Sequence, residues 1–455
     1  MTTLIPKFKQ PFSGAVNIPI NIKLEETVSV IDFGADPTGV ADSYAAFLAA
    51  YNSGAGTIMI PLGEFKITQT LKLDRAVTFI GATNSGTRDF VTPTNATTVS
   101  FTGTGAAFEC TATDGNGTRN FHFKSFHIKG TASGACGILL GNTAGAWATM
   151  SSVIDVQIRG FTAVDACGLH VNRAINCYFR NVATLFNYDG IKCLGNNTTL
   201  TFDSCWSTTN DRYGWLISDA LATGNFMACI SENNQSSGLR IEGDVIDCNF
   251  YGWHSEINCI STGLAPQVLT NNGAFHPRWI NFYAGFFNDS VDSGAIRKTF
   301  DITGCYKITW FNPEMPDYNP GFMSVSSTTA DCNFTTPVQG VYPSFITNNT
   351  NSGVAINNNA PIQYVKSMVI NGLYPLNFTS GFLFVTDITN NQSAIFLLNG
   401  SANTVTIISD PSSHFATAYT VGKIAVYYGT GQYRIGNGVT GPVDVIIQSI
   451  LGNIL

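Results

Sequence analysis

The chain has 455 residues, 12% of them charged and 12% aromatic, with 44 glycines and a formal net charge of −7. That composition is too aromatic and too weakly charged for a disordered chain, and its acidic balance argues against a general nucleic-acid binder, which needs a basic footprint. The sequence holds no run of 18 apolar residues, and Met1 to Val16 lacks an apolar segment of signal-peptide length, so neither membrane insertion nor a leader is expected.

Residues 1–27 are polar and interrupted by Pro6, Pro11 and Pro19, which predicts an extended N-terminal arm or adaptor. Val28 to Ser43 reads as a strand, a turn over Asp36-Pro-Thr-Gly39 and a helix start, with Asp42 as the expected N-cap. Tyr44, Phe47, Leu48 and Tyr51 then share one helical face, and the helix should end near Asn52-Ser-Gly54. Strands follow over Gly56 to Ile67 and Leu71 to Ile80. A short amphipathic helix at this place would cover the open end of a repetitive core.

The runs VSVIDFGADPTGVADSYAAFLAA and GTIMIPLGEFKITQTLKL resemble the opening of the pectate-lyase-like right-handed β-helix proteins, bacteriophage tailspikes in particular. Asp36-Pro-Thr-Gly39 and a single Asp42 depart from the commonest form of that opening. The resemblance covers roughly residues 28–330 and implies a homotrimeric virion protein, made in the bacterial host cytoplasm, that acts on a polysaccharide at the bacterial surface. It further implies that the N-terminal arm joins other phage tail proteins.

From Phe123 to Phe311 an apolar residue followed three positions later by another returns: Phe123/Phe126, Ile158/Phe161, Phe179/Val182, Phe202/Cys205, Phe226/Cys229, Phe250/Trp253, then Phe282/Gly285 and Ile302/Cys305. The middle steps are 21, 23, 24 and 24 residues. A second mark, glycine followed by alternating apolar residues, keeps the same time at Gly137, Gly168, Gly190, Gly214 and Gly238. The segments are short, β-branched and aromatic, with no helix in the repeat, so each repeat is one coil of a parallel β-helix. Asn187, Asn210, Asn234 and Asn258 recur five positions after the second apolar residue, which predicts a stacked asparagine ladder at a left-handed corner. Cys177, Cys193, Cys205, Cys229 and Cys305 fall on apolar phases, and the total of 11 is odd, so these read as small buried hydrophobes with reduced thiols. No CxxC pair suggests zinc, Asp114-Gly-Asn-Gly117 reads as a plain turn rather than a calcium loop, and no cofactor is expected.

Beyond Phe311 the rhythm stops at Asn312 to Pro320, which holds three prolines. Alternating strands such as Thr404 to Ile408 and Lys423 to Tyr428 then predict a C-terminal antiparallel β-sandwich serving trimerisation or carbohydrate binding. The expected division is therefore an all-β chain of arm 1–27, right-handed parallel β-helix 28–325 and β-sandwich 326–455.

Coils stack at roughly 4.8 Å, so equal phase in the repeat predicts spatial neighbours. One position after the ladder aromatic reads Arg159, Arg180, Asp203, Met227, Tyr251 and Tyr283, and one position after the second apolar residue reads Trp206, Ile230 and His254. Trp206, Tyr251, His254 and Tyr283 would suit sugar rings, whose C–H faces stack on aromatic systems; a contact between protomers is the other reading. Two positions further, Glu232 and Glu256 share one phase. Carboxyls so placed would lie within roughly 5 to 9 Å, the spacing of a glycosidase acid and its partner, with Asp211 and Asp203 as further candidates for a water-activating base; a purely structural Ser-Glu corner is the alternative. After the glycines come Leu139, His170, Lys192, Leu216 and Arg240, whose three basic groups would bind uronate carboxylates, with Lys192 or Arg240 the base of a β-elimination, or form a solvated strip. The reading is a polysaccharide depolymerase acting by hydrolysis, with a lyase and a non-catalytic glycan-binding spike as alternatives.

Overall fold

The computed structural model describes residues 6–83, 95–111, 120–141, 147–260, 267–271, 275–288 and 300–311, and beyond these 323–325, 332–335, 346–348, 354–356, 362–368, 373–375, 381–387, 389–399, 402–429, 432–439 and 443–450. Asp114-Gly-Asn-Gly117 and the proline-rich Asn312 to Pro320 lie outside the described residues. The chain divides into two compact units, Met1–Val268 and Leu269–Leu455.

The first unit is a parallel β-helix. One coil runs through Asp189–Leu194, Asn196–Asp203 and Trp206–Thr208, and the coils that follow, Trp215–Ile217, Ala220–Met227, Ile230–Glu232 and then Leu239–Glu242, Asp244–Tyr251, His254–Glu256, pair with it in parallel register. The coil bends where single residues adopt the left-handed conformation: Gly195, Thr199, Ser204 and Thr209 in one coil, then Asp219, Thr223, Ala228 and Asn233, then Gly243, Asp247, Gly252 and Ile257. A left-handed residue costs an L-amino acid about 1–2 kcal/mol, so the bends persist only because the core they enclose offsets them. The bend two positions after each ladder aromatic turns the next apolar side chain inward as well. That is why Phe202 and Cys205, or Phe250 and Trp253, are both fully buried at a spacing of three.

Inside, Phe179, Phe202, Phe226 and Phe250 stack with centroids 4.4, 5.2 and 4.5 Å apart, and Trp215 and Trp253 close edge-on at 5.5 Å. Such pairs add roughly 0.5–1.5 kcal/mol each beyond their buried area. The four ladder asparagines are fully buried: the Asn210 Nδ2 and backbone N–H donate to Asn234 Oδ1 at 2.8 and 3.1 Å, and Asn234 repeats this to Asn258 at 2.8 and 3.3 Å. The left-handed residue is the one before each asparagine, Phe186, Thr209, Asn233 and Ile257, and not the asparagine itself. The amide is kept for its side-chain bonds and has no special backbone role. It also explains the glycines. A Cβ on Gly214 would sit 2.6 Å from Asn234 Nδ2, and one on Gly238 2.5 Å from Asn258 Nδ2, so the two periodic marks are the two sides of one contact.

Two phases in the sequence reading are corrected. The ladder pair preceding Phe179/Val182 is Val153/Val156, because Val153 pairs with Phe179 and Asp155 carries the left-handed bend; Ile158 pairs with Thr184, and the Phe161 N–H donates to Asn187 Oδ1 at 3.1 Å, so Phe161 occupies the place of a ladder asparagine. In the second unit the partner of Phe282 is Trp310, while Ile302 lies on another face, pairing with Val325.

The arm is not extended: Lys7–Phe8 pairs antiparallel with Ile18–Pro19, and Ile20–Glu25 is a short helix. The capping helix spans Tyr44–Asn52 and buries Ala46, Phe47, Ala50 and Tyr51. It begins one residue later than expected, with Ser43 at the cap position; Asp42 accepts instead from the Tyr44 N–H at 3.0 Å and from the Thr68 hydroxyl at 2.6 Å, tying the helix start to the neighbouring strand. Every cysteine whose side chain is described is free and buried.

In the second unit, parallel pairing continues through Cys332–Thr335 to Val354–Ile356, past the boundary expected at 325. Phe334 carries the ladder position on from Trp310, and Ile356 follows it. Five- and four-stranded sheets follow, antiparallel apart from the Phe415–Ala416 pairing. Leu383, Val385, Phe396, Phe415, Val426 and Ile435 from both sheets share one core, which makes this part a β-sandwich.

Candidate active site

The register of the first unit sets two outward columns side by side on the face that follows the ladder bend. The first reads Thr98, His127, Gln157, Ala183, Trp206, Ile230 and His254, the second Ser100, Lys129, Arg159, Leu185, Thr208, Glu232 and Glu256. Glu232 and Glu256 are direct register partners, as their shared phase predicted. Both are half-buried, and each has a partner from the first column. The Trp206 Nε1–H donates to Glu232 Oε2 at 3.2 Å, and His254 Nε2 lies 3.3 Å from Glu256 Oε2. The arrangement places two carboxylates on adjacent coils beside an indole and an imidazole, a set suited to moving a proton next to a sugar ring.

Across the bend, Arg180, Asp203, Met227 and Tyr251 form the neighbouring column. Met227 and Tyr251 are exposed, at 37% and 42%, so this edge of the face is open to a ligand. Asp203 accepts from the Tyr178 hydroxyl and the Ser204 hydroxyl, both at 2.9 Å. Asp211 is exposed and follows the ladder position, its N–H donating to Asn187 O at 2.8 Å. Tyr283 belongs to the second unit, where it stacks on Phe311 at 4.6 Å. Arg159, assigned by the slipped phase to the Arg180 column, stands instead in the column of the two glutamates. The misplaced signal was Phe161 standing for an asparagine, which made a false ladder pair.

The basic column is in register as expected, Leu139, His170, Lys192, Leu216, Arg240, but its groups are not offered to a ligand. Lys192 is 5% exposed, pairs with the fully buried Asp189 at 2.7 Å and donates to Asp165 O at 2.7 Å. Arg212 donates to both oxygens of Asp189 at 2.8 and 2.6 Å and stacks on Tyr188, and the Tyr213 N–H donates to Asp189 Oδ1 at 3.2 Å. Arg240 pairs with Glu242 at 2.8 Å and lies over Tyr213. A charge buried without a partner would be prohibitive, so the lysine that looked like a ligand group serves the buried aspartate.

His170 is held neutral, its pKa pushed down to about 4 by burial and then by Lys192. His127 is likewise pushed down to about 4, by burial and then by Arg159. In the unfolded chain both titrate near 6.5. Below that value the unfolded state takes up protons that the folded state refuses until about pH 4. Stability is therefore full above about pH 6.5 and declines between about 6.5 and 4, by at most about 3 kcal/mol per histidine. Urea midpoints measured from pH 7 to pH 4 should fall across that window, with a shallower fall for His170→Gln.

No protein-family model matches the sequence, and no curated protein matches it. Among solved structures the chain resembles ORF18 of Geobacillus virus E2, 13% identical over 98% of this chain and 93% of that one with a TM-score of 0.51. It also resembles the Dettilon tailspike protein, 13% identical over 94% and 95% with a TM-score of 0.50. A tailspike of Acinetobacter baumannii bacteriophage Fri1, a capsular polysaccharide depolymerase, aligns over 95% and 87% at 11% identity and a TM-score of 0.48. At these identities the likeness is one of fold: the chain has the β-helix architecture of phage tailspikes.

Proposed function

We propose that the protein is a homotrimeric phage tailspike that depolymerises a bacterial surface polysaccharide, capsule or O-antigen, by glycosidic hydrolysis between Glu232 and Glu256. The observation that carries this reading is the register pairing of the two glutamates, each held by an aromatic partner, on an outward face edged by exposed Tyr251. Glu256, with the His254 imidazole beside it to return a proton, acts as the acid that protonates the glycosidic oxygen. Glu232, steered by the Trp206 indole, acts as the base that activates water. Asp203 and Asp211 flank this pair. Trp206 and Tyr251 offer stacking surfaces for sugar rings. Elimination is less favoured because Lys192 and Arg240, the bases it would use, are engaged in ion pairs. The tailspike fold supports a place in the virion, with the N-terminal arm toward other tail proteins.

The test is to incubate the protein with capsule and O-antigen polysaccharides and follow polymer size together with ultraviolet absorbance. Shortened chains with saturated ends support hydrolysis. Shortened chains that absorb as unsaturated uronates do would replace it with elimination, and unchanged size across the panel would leave a binding spike without catalysis.

A further inference from the structure

A nucleophile and a base meet on a part of the first unit that the two glutamates do not use. His122, in Phe121–Lys129, and Ser152, in Ser152–Arg159, are register partners on adjacent coils. Phe121, Phe123, Ser151 and Val153 beside them are buried, so the core holds both backbones while the two polar side chains face outward, half-buried. Ser152 Oγ lies 2.8 Å from His122 Nδ1. Register alone does not produce this bond. Tyr178 is the other register partner of Ser152, and its hydroxyl donates to Asp203 instead, at 2.9 Å.

A hydroxyl becomes a nucleophile when a base within hydrogen-bond reach takes its proton. Imidazole does this only while neutral, and burial holds His122 below its ordinary value. With its own proton on Nε2, the ring presents Nδ1 to the serine. Lys124 follows two residues after His122 on the same outward side and is exposed. The usual strand spacing and rise put its Cα about 8 Å from that of Ser152. Its ammonium therefore reaches the space above the serine, where charge develops on a carbonyl oxygen under attack. The ring of Tyr178, tethered through its hydroxyl, stands one coil on as a surface for a sugar.

We propose that Ser152 and His122 are the nucleophile and base of a second activity, the hydrolysis of acyl esters, acetyl esters among them, on sugar hydroxyls. Ser152 Oγ forms a bond to the acyl carbon as its proton passes to His122 Nδ1. The bond from that carbon to the sugar oxygen breaks, and the oxygen leaves with the proton from the imidazolium. Water then attacks the acylated serine, gives His122 a proton that returns to Ser152 Oγ, and releases the carboxylic acid. Ester and water thereby become a sugar hydroxyl and an acid, with no other reactant. The nucleophile stands on its own geometry; that the ester is carried by a sugar rests on the polysaccharide reading above.

The test gives the full chain p-nitrophenyl acetate and, separately, O-acetylated polysaccharides, and reads p-nitrophenolate and released acetate. The parent should act on both, and mass spectrometry of quenched p-nitrophenyl acetate reactions should place an acetyl group on Ser152. Ser152→Ala and His122→Gln should each lower both rates by about 100-fold or more with thermal unfolding unaltered. Thr201→Ala, two coils along the same column, should keep them. Full ester cleavage by folded Ser152→Ala, or a parent that cleaves p-nitrophenyl acetate no faster than buffer does, overturns the pair as a catalyst. Cleavage through Ser152 without acetate release from any of the polysaccharides overturns the sugar ester as its substrate. Polymer size is followed in the same samples: unchanged size with ester cleavage intact counts against the glutamates and leaves this site standing.

Discussion

Glu256→Gln should fold and unfold like the parent protein and lose polysaccharide cleavage by 100- to 10,000-fold, roughly the range that removal of a general acid produces. The glutamine keeps the shape of the side chain and can still meet His254, so the 3.3 Å contact is replaced rather than left open. It cannot deliver a proton to the glycosidic oxygen. Glu232→Gln should behave similarly, because an amide held by the Trp206 indole does not accept a proton from water. KM should change little in either variant, since neither substitution removes a stacking surface. The measurement is kcat and KM on purified polymer, with thermal unfolding as the control for folding. Wild-type turnover by either folded variant would remove that residue from the mechanism and pass its role to Asp203 or Asp211.

Asn234→Ala should cost about 2–5 kcal/mol of stability without touching the outward face. Asn234 stands inside the ladder with no exposure. Its Oδ1 accepts from both the backbone and the side chain of Asn210, and its Nδ2 reaches Ser207 O, Ser231 Oγ and Asn258 Oδ1 at 3.2, 3.1 and 2.8 Å. Alanine removes all of these together and leaves a buried backbone N–H of the adjacent coil without its acceptor. The room beside Gly214 opens as well, because that glycine exists to admit the amide. Chemical denaturation should show the loss as a shift in midpoint. A change under 1 kcal/mol would mean that water replaces the ladder, and the asparagine repeat would then need another explanation.

The ladder and the active face were unequally legible. Phe202, Phe226 and Phe250 return at a constant interval because each coil must bury the same phase against the last, and the two glutamates, one and two coils on from Thr208, could be paired by counting alone. Counting failed where a different side chain took over a structural place. Phe161 stands where an asparagine stands in later coils, and the count slipped by one strand segment, moving Arg159 into the wrong column. The basic column was correct in register and misleading in chemistry, because nothing in the spacing of Lys192 shows that a buried Asp189 lies within 2.7 Å.

By itself the sequence determined the repeat, its all-β character, the buried place of the phenylalanines and cysteines, and which two glutamates are neighbours, because stacking parallel coils makes periodicity and proximity the same thing. Only the tertiary structure decided which charges are available. Whether Lys192, Arg240 or Lys129 faces a ligand depends on the acidic groups brought near it from other coils, and ion pairing is set by distance in space, which no interval along the chain records.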